Sequence, residues 1–369
     1  MINQTRTLLV VALLVVAYLL WQAWQHDYPS IPPPSPPVAG AVPASSPSVP
    51  EAPASAATTS SSTPAASVPE TSGNVVATSS ADLITASNDV LRLTIDPRGG
   101  TIVGADLLDY PQQVKRGSPP VRLLDDTPAN YYVAQSGLVG ADGSVAPNHL
   151  AEFTATTREN ALAPGQKQVV VTLDWHDAAT GVSVVKRYTL VRGSYVVGLS
   201  QQIDNLGAKA WHGNAYEQLE RVEPPPPPKH LLEFYNPDSL SFTGAAWYSP
   251  DEKFKKLAFD KFESEPLNQA VTGGWVAMSQ RFFLGAWIPG DKQPERFGSV
   301  KIAGQGADGK PRYLVREMGP ALSVAPGASV TSSANLYVGP KLQNELGDIA
   351  PGLNLTVDYG MFTVIAAPM

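Results

Sequence analysis

A short alternation of hydrophobic and polar residues runs through most of the chain and predicts β-strands. It is clear at Leu91, Leu93 and Ile95, whose neighbours are polar. Later segments with the same period are 169–175, 182–191, 195–203, 275–278, 281–288, 312–316 and 329–338. Turn residues at Asp177–Gly181 and Arg192–Ser194 separate neighbouring segments and indicate hairpins. Successive strands with few helical segments predict an all-β fold, an antiparallel sandwich.

A different pattern lies near the N-terminus, where Leu8–Trp24 is apolar and uncharged. As a helix rising about 1.5 Å per residue, this run comes close to the roughly 30 Å hydrocarbon core of a bilayer. Its predicted membrane-anchoring residues are Leu8, Leu20, Trp21 and Trp24. Arg6 precedes the run, which favours a cytoplasmic N-terminus with the rest of the chain outside. The alternative is a cleaved signal peptide, but Gln22–Gln25 gives a poor cleavage site.

The segment after the anchor is rich in Pro, Ser and Ala and has few large apolar residues. It cannot bury enough surface to offset its ordering entropy, so we expect a disordered tether. The predicted organisation is therefore a transmembrane helix at 1–25, a tether at 26–80, one β domain at 81–357 and a terminal segment at 358–369.

Two short helices are predicted within the β domain. Ser249–Glu252 has the residues of a capping box, with Pro250 at the first helical position. Further on, Leu342, Leu346 and Ile349 form one apolar stripe that ends before a Pro-Gly pair. The second helix lies near the end of the domain and would brace it.

Composition excludes several classes of function. The chain has no cysteine, which removes disulfides, thiol catalysis and thiolate metal sites. A net charge of −7 argues against nucleic-acid binding. No nucleophile elbow, dinucleotide motif, phosphate loop or histidine metal motif is present, so no catalytic residue, metal or cofactor is predicted. His212 and Glu217 could form an acid–base pair, although such residues are more often structural.

Several sequence blocks resemble the bacterial YidC membrane protein insertases, in the same order along the chain. The blocks are Asp89–Gly100, Ala134–Gly143, Gly244–Phe262, Gly273–Pro289, Leu336–Pro340 and Leu353–Gly360. The apolar N-terminal run also resembles the first transmembrane helix of that family. The resemblance covers the chain apart from the tether.

The resemblance implies a fold, a location and a function. The fold would be a β-supersandwich similar to galactose mutarotases, closed by a C-terminal helix. The chain would be the anchor and periplasmic domain of an insertase and chaperone in the inner membrane. Such a protein works without covalent chemistry, and its partners would be Sec translocon components and nascent membrane proteins. The alternative is a membrane-tethered carbohydrate-binding or mutarotase-like module, which rests on fold analogy alone.

The family's insertion groove lies in five further transmembrane helices, for which this sequence has no counterpart. Asp358, Tyr359 and Gly360 would form the junction to that membrane part, and 358–369 would begin the segment leading to it. We therefore expect this chain alone not to insert proteins.

Overall fold

The fold is built from two large β-sheets. The structure is a computed structural model, and it describes residues 82–225, 242–290, 293–304 and 309–357. The strands before residue 225 are β1 (Ile84–Ser87), β2 (Leu91–Asp96), β3 (Thr101–Pro111), β4 (Pro120–Asp125), β5 (Tyr132–Gly140), β6 (Thr154–Ala155), β7 (Glu159–Ala161), β8 (Gln168–Asp177), β9 (Val182–Val191), β10 (Val196–Asn205) and β11 (Trp211–Val222). Those after residue 242 are β12 (Gly244–Ser249), β13 (Lys253–Leu257), β14 (Asn268–Thr272), β15 (Trp275–Ser279), β16 (Phe283–Pro289), β17 (Pro294–Ile302), β18 (Arg312–Val324) and β19 (Ser329–Pro340).

One sheet has ten strands in the order β14-β17-β18-β11-β5-β4-β3-β2-β1-β7, and the other has nine in the order β13-β12-β15-β16-β19-β10-β9-β8-β6. The pairing is antiparallel in both, apart from the short parallel pair β1–β7. The predicted all-β antiparallel sandwich is thus confirmed. The hairpins predicted at Asp177–Gly181 and Arg192–Ser194 are also present, because β8, β9 and β10 pair consecutively.

The core lies between the two sheets and is rich in aromatic residues. Trp275, Trp287 and Tyr132 are almost fully buried there. Trp287 of the nine-stranded sheet donates its indole N–H to the Gln218 carbonyl of the ten-stranded sheet at 3.0 Å. Buried aromatic rings with one polar atom fit such a core because the polar atom finds a partner in the facing layer.

The second predicted helix is present and the first is not. Helix α1 (Gln343–Ile349) buries Leu346 and is followed by a 3₁₀ turn at Leu353–Thr356. The predicted helix at Ser249 is wrong, because this segment is the turn between β12 and β13.

The capping-box residues at Ser249 form their expected hydrogen bond in a different backbone. Ser249 Oγ accepts the backbone N–H of Glu252 at 2.9 Å, as it would at a helix start. Lys253 then adopts a left-handed φ of 61°, and the chain turns back as a strand. Phe254 packs against Trp275 with 6.0 Å between ring centroids. Pairing with β12 and this aromatic contact outweigh the local helix signal.

Candidate functional site

A layer of polar side chains lies between the sheets, at positions where the strand alternation places apolar residues. On β9 the inward positions hold Val182, Val184, Lys186, Tyr188 and Leu190, and all five are buried. Lys186 is therefore carried into the interior by the same period of two that buries its apolar neighbours.

Lys186 connects the two sheets through its ammonium group. Its Nζ donates hydrogen bonds to the Gly99 carbonyl at 2.7 Å and to the carbonyl and hydroxyl oxygens of Ser136, both at 3.0 Å. Tyr188 binds the next carbonyl, that of Gly100, at 2.6 Å. Burial lowers the pKa of Lys186 to about 7, although the Glu217 carboxylate acts in the opposite direction.

Gly99 and Gly100 form the tight turn that presents these two carbonyls. Both have left-handed φ angles, 72° and 65°. A Cβ on Gly99 would overlap the backbone of His149, so only glycine fits this position.

Three glutamates gather in the same interior layer. Glu217 on β11 and Glu317 on β18 are directly opposite each other in the strand register. Glu295 on β17 is close enough for its charge to act on Glu317 and for the Glu217 charge to act on it. Glu217 accepts a hydrogen bond from Gln201 Nε2 of the facing sheet at 3.1 Å. The three carboxyl groups therefore converge from three strands.

The surroundings of these glutamates disfavour their ionised forms. Burial raises the pKa of Glu217 to about 8, partly opposed by the Lys186 charge. Burial and the Glu217 charge raise the pKa of Glu295 to about 8. Burial, followed by the Glu295 and Glu217 charges, raises the pKa of Glu317 well above 4.5. Strongly shifted groups grouped around an opening are characteristic of functional sites.

The glutamates line a cleft of about 160 Å³. Its other walls are formed by the Pro289–Gly290 corner and by Thr331, Ser332 and Ser333 of β19. No Lys, Arg or His is among the described residues that line this cleft, which we call the carboxylate cleft. Within the part of the chain that the structure covers, no three His, Asp or Glu side chains are arranged to hold a metal ion.

The acid–base pair considered from the sequence is not assembled. Glu217 accepts its hydrogen bond from Gln201, and no hydrogen bond joins the Glu217 carboxylate to the His212 ring among the described residues. Another described histidine, His149, does meet a titratable partner, because its Nδ1 lies 2.6 Å from Tyr216 Oη. Burial, and secondarily the charges of Lys186 and Arg98, lower the pKa of His149 to about 4.

A second opening of about 850 Å³ lies where the end of α1 meets the β12–β13 turn. It is lined by Tyr248, Pro250, Thr272, Gly273, Gly274, Ile288, Pro289, Gly290, Ile349, Ala350 and Pro351, and we call it the apolar groove. None of these lining residues is charged. Trp275 Nε1 donates to the Pro351 carbonyl at 3.0 Å, and Gly352 has a φ of 74° that brings it against Tyr248.

The predicted membrane anchor and junction lie outside the described residues and stay predictions. This applies to Leu8, Leu20, Trp21 and Trp24 and to Asp358, Tyr359 and Gly360. Among the residues that the structure does describe, no helix has the length and apolar character needed to cross a bilayer.

Sequence reasoning missed Lys186, Glu295 and Glu317. A signal was available for two of them, since Lys186 and Glu317 interrupt the apolar phase of alternating strands. A charged residue at such a position is either paired or functional. The convergence of the glutamates follows from the strand order, which the sequence alone does not supply.

The comparisons with known proteins place the chain in one family. Residues 83–369 match the family described as the YidC periplasmic domain. A membrane protein insertase YidC of Stenotrophomonas maltophilia is 38% identical over 381 residues, covering 99% of this chain and 62% of the relative. The corresponding protein of Pseudomonas aeruginosa PAO1 is 37% identical over 397 residues, covering 99% of this chain and 64% of its own length.

Solved structures with a similar fold include sugar-epimerising enzymes and their relatives. A galactose mutarotase related enzyme from Lactobacillus acidophilus has a TM-score of 0.46 and 12% identity, covering 69% of this chain and 97% of its own. A putative aldose 1-epimerase from Escherichia coli has a TM-score of 0.40 and 12% identity, covering 69% and 98%. Similarity at this level says nothing about activity.

Proposed function

The chain belongs to the family of YidC membrane protein insertases, and from this premise we propose that it is the membrane-anchored periplasmic portion of such an insertase, aiding the insertion and folding of inner-membrane proteins. The observation that carries the proposal is the family match over 83–369. The chain spans about 62% of the length of its Stenotrophomonas relative. The activity, substrates and partners of a whole insertase are accordingly part of the proposal.

The proposed location is the bacterial inner membrane, with residues 1–25 crossing once and the N-terminus in the cytoplasm. Residues 26–80 would hold the periplasmic domain, 81–357, away from the bilayer, and 358–369 would lead towards a second membrane helix. The uncharged run Leu8–Trp24 and the proline-rich stretch after it support this arrangement. Protease added to spheroplasts should degrade the domain, and protection from protease would contradict the topology.

The proposed role of the domain is docking rather than catalysis. Its partners would be Sec translocon components and membrane proteins in transit, as expected for an insertase. The apolar groove supports this role, because a groove of about 850 Å³ without charged lining residues suits an apolar segment of a membrane protein. The curated relatives are named insertases, which favours binding over covalent chemistry.

A chimera tests the family role directly. Residues 1–369 replace the matching part of the Pseudomonas aeruginosa insertase, and the chimera is expressed in cells depleted of their own insertase. We expect growth to be rescued. A chimera that accumulates in the membrane but does not rescue growth contradicts the proposal.

A second chimera separates a specific domain from a spacer. It carries an unrelated β-sandwich in place of 82–357. If it rescues growth as well as the first chimera, docking by this domain contributes nothing and that part of the proposal is wrong. Photo-crosslinking refines the test, with the crosslinker at Ile349 in the groove or at exposed Lys255 as the control. Adducts with newly made membrane proteins are expected from Ile349 alone.

A further inference from the structure

The described lining of the carboxylate cleft carries an imbalance of charge. Glu217, Glu295 and Glu317 line it, and no cationic side chain among the described residues shares the lining. Lys186 acts electrostatically on Glu217, but its ammonium donors are directed to Gly99 and Ser136. Among the described lining residues, acidic groups therefore outnumber basic ones.

The imbalance is also one of hydrogen bonds. Both carboxylate oxygens of Glu317 lack a partner among the described residues, although the residue is only 1% exposed. Glu295 Oε2 is likewise buried without a partner there. Buried polar atoms are nearly always satisfied in folded proteins, so three unmatched acceptors around one opening need a donor from elsewhere. Protonation of one carboxyl group supplies a single O–H donor, which satisfies one neighbouring oxygen and leaves the others without a partner.

We propose that the carboxylate cleft binds a primary alkylammonium group. An ammonium is a unit positive charge with three N–H donors, which equals the number of unmatched acceptor oxygens on Glu317 and Glu295. The cleft volume of about 160 Å³ corresponds to about five waters at roughly 30 Å³ each, enough for an amine of a few carbons.

Other ligand classes fit less well. A metal ion would need three ligands in a coordinating arrangement, and no such arrangement is found among the described residues. A neutral polyol would donate hydrogen bonds but would leave the carboxylate charges without a counter-charge. An ammonium corrects both shortages at once. The amine can be a free small molecule or the lysine side chain of a partner, whose terminal chemistry is the same.

The test uses the full chain in a nonionic detergent and titrates it with n-butylamine by calorimetry. We expect saturable binding that is at least tenfold weaker in Glu317→Gln, because the amide removes the charge and one acceptor. Glu159→Gln is the matched control, since Glu159 is exposed on β7, and its binding should equal that of the parent chain. A cooperative thermal unfolding transition shows that a variant is folded. If Glu317→Gln does not fold, Glu295→Gln is tested in its place.

Three further ligands decide the specificity. 1-Butanol keeps the alkyl group of butylamine but lacks its charge. Tetramethylammonium keeps the charge but lacks N–H donors, and glucose represents the neutral polyols. None should bind saturably. Absence of butylamine binding, equal binding by Glu317→Gln, or binding of glucose instead of butylamine would each overturn the proposal.

Short peptides distinguish the two sources of the amine. The peptide Gly-Gly-Lys-Gly-Gly, with its N-terminus acetylated so that the lysine side chain is its one amine, is compared with the same acetylated peptide carrying norleucine. Tighter binding of the lysine peptide than of butylamine supports a partner side chain, whereas binding of butylamine alone supports a free amine. Binding of the norleucine peptide as tightly as the lysine peptide would contradict ammonium recognition.

Discussion

Strand β11 carries two buried glutamates, Glu217 and Glu220, whose environments differ sharply. They are three residues apart and so lie on opposite faces of the sheet. Glu220 accepts a hydrogen bond from Arg312 at 3.1 Å, and the Arg312 guanidinium lies 3.7 Å from the Tyr131 ring centroid. Glu217 is opposite another glutamate, Glu317.

The difference separates a buried carboxylate that has a cationic partner from one that lies among other acids. At Glu220 the fold supplies a cation, although Glu220 Oε2 and Arg312 Nε have no further partner among the described residues. On the face of the sheet that carries Glu217, further acidic side chains are present and a cleft opens beside them. One strand thus shows two environments for a buried carboxylate: Glu220 is paired with a cation, whereas Glu217 faces further acids.

The largest effect is expected from breaking the compensated pair. Arg312→Met leaves the Glu220 carboxylate buried without its cation, so the free energy of unfolding should fall by about 3–5 kcal/mol. Denaturant titration followed by tryptophan fluorescence measures the change. Adding Glu220→Gln should restore part of the loss. A loss of stability as small as that expected for an exposed ion pair would mean that Arg312 does not stabilise the buried Glu220 carboxylate.

A smaller loss of stability is expected at Lys186, which joins the two sheets and whose charge opposes that of Glu217. Lys186→Met removes the donor for buried oxygens of Gly99 and Ser136, and we expect a loss on the order of 1–3 kcal/mol. Combining it with Glu217→Gln should give a non-additive result of at least about 0.5 kcal/mol, measured by the same titrations. Strict additivity would contradict the electrostatic link between the two residues.

Glu317→Gln should increase the free energy of unfolding rather than decrease it, and the size of the increase should depend on pH. The pKa of Glu317 is raised in the folded state above its usual 4.5, so the native chain holds a proton that the unfolded chain releases. Its contribution to stability is therefore present below about pH 4.5 and is lost as the pH rises. The variant should be more stable than the parent chain at pH 8, and this gain should disappear at pH 4.5.

Glu217 and Glu295 interact with Glu317, so their titration is part of the difference between the variant and the parent. Comparing the two chains at each pH removes the effects of titrating groups that do not interact with Glu317. These include His149, whose pKa is lowered to about 4, and Lys186, whose pKa is lowered to about 7. A difference that does not change between pH 4.5 and pH 8 would mean that Glu317 is not a strained carboxyl group.

The smallest effect should come from an exposed ion pair, which provides the baseline. Lys301 Nζ lies 3.1 Å from Glu263 Oε2, and the glutamate side chain is largely exposed. Water screens such pairs, so Lys301→Met should cause no change that denaturant titration resolves. A loss approaching that of Arg312→Met would show that pairing, rather than burial, explains the contrast on β11.

Strands with a clear alternation could be predicted because their signal is local. The alternation at 182–191 matches β9 residue for residue, and the hairpins on both sides carry glycines with positive φ at Gly181 and Gly193. The turn at Ser249 could not be predicted in the same way. Its side-chain hydrogen bond is common to helix starts and turns, and the choice depends on pairing with β12.

The carboxylate cleft depends on contacts between distant segments. Glu217 and Glu317 are 100 residues apart in the sequence, and their meeting depends on the register of β11 with β18. The sequence identified Glu217 as a candidate but assigned it His212, a near neighbour in the chain. Partners in a sheet are set by strand order, so proximity in sequence was the wrong guide.

The outermost strands of both sheets are short. Among the described strands, β6, β7, β13 and β14 have two, three, five and five residues, and they end the two sheets. On β13, Lys253, Lys255 and Lys256 are exposed. Short, lysine-bearing edges offer little free backbone for a strand from another polypeptide. Extended segments passing close to this domain would therefore find few places to extend its sheets, and recognition would depend on side chains and clefts rather than on β-augmentation.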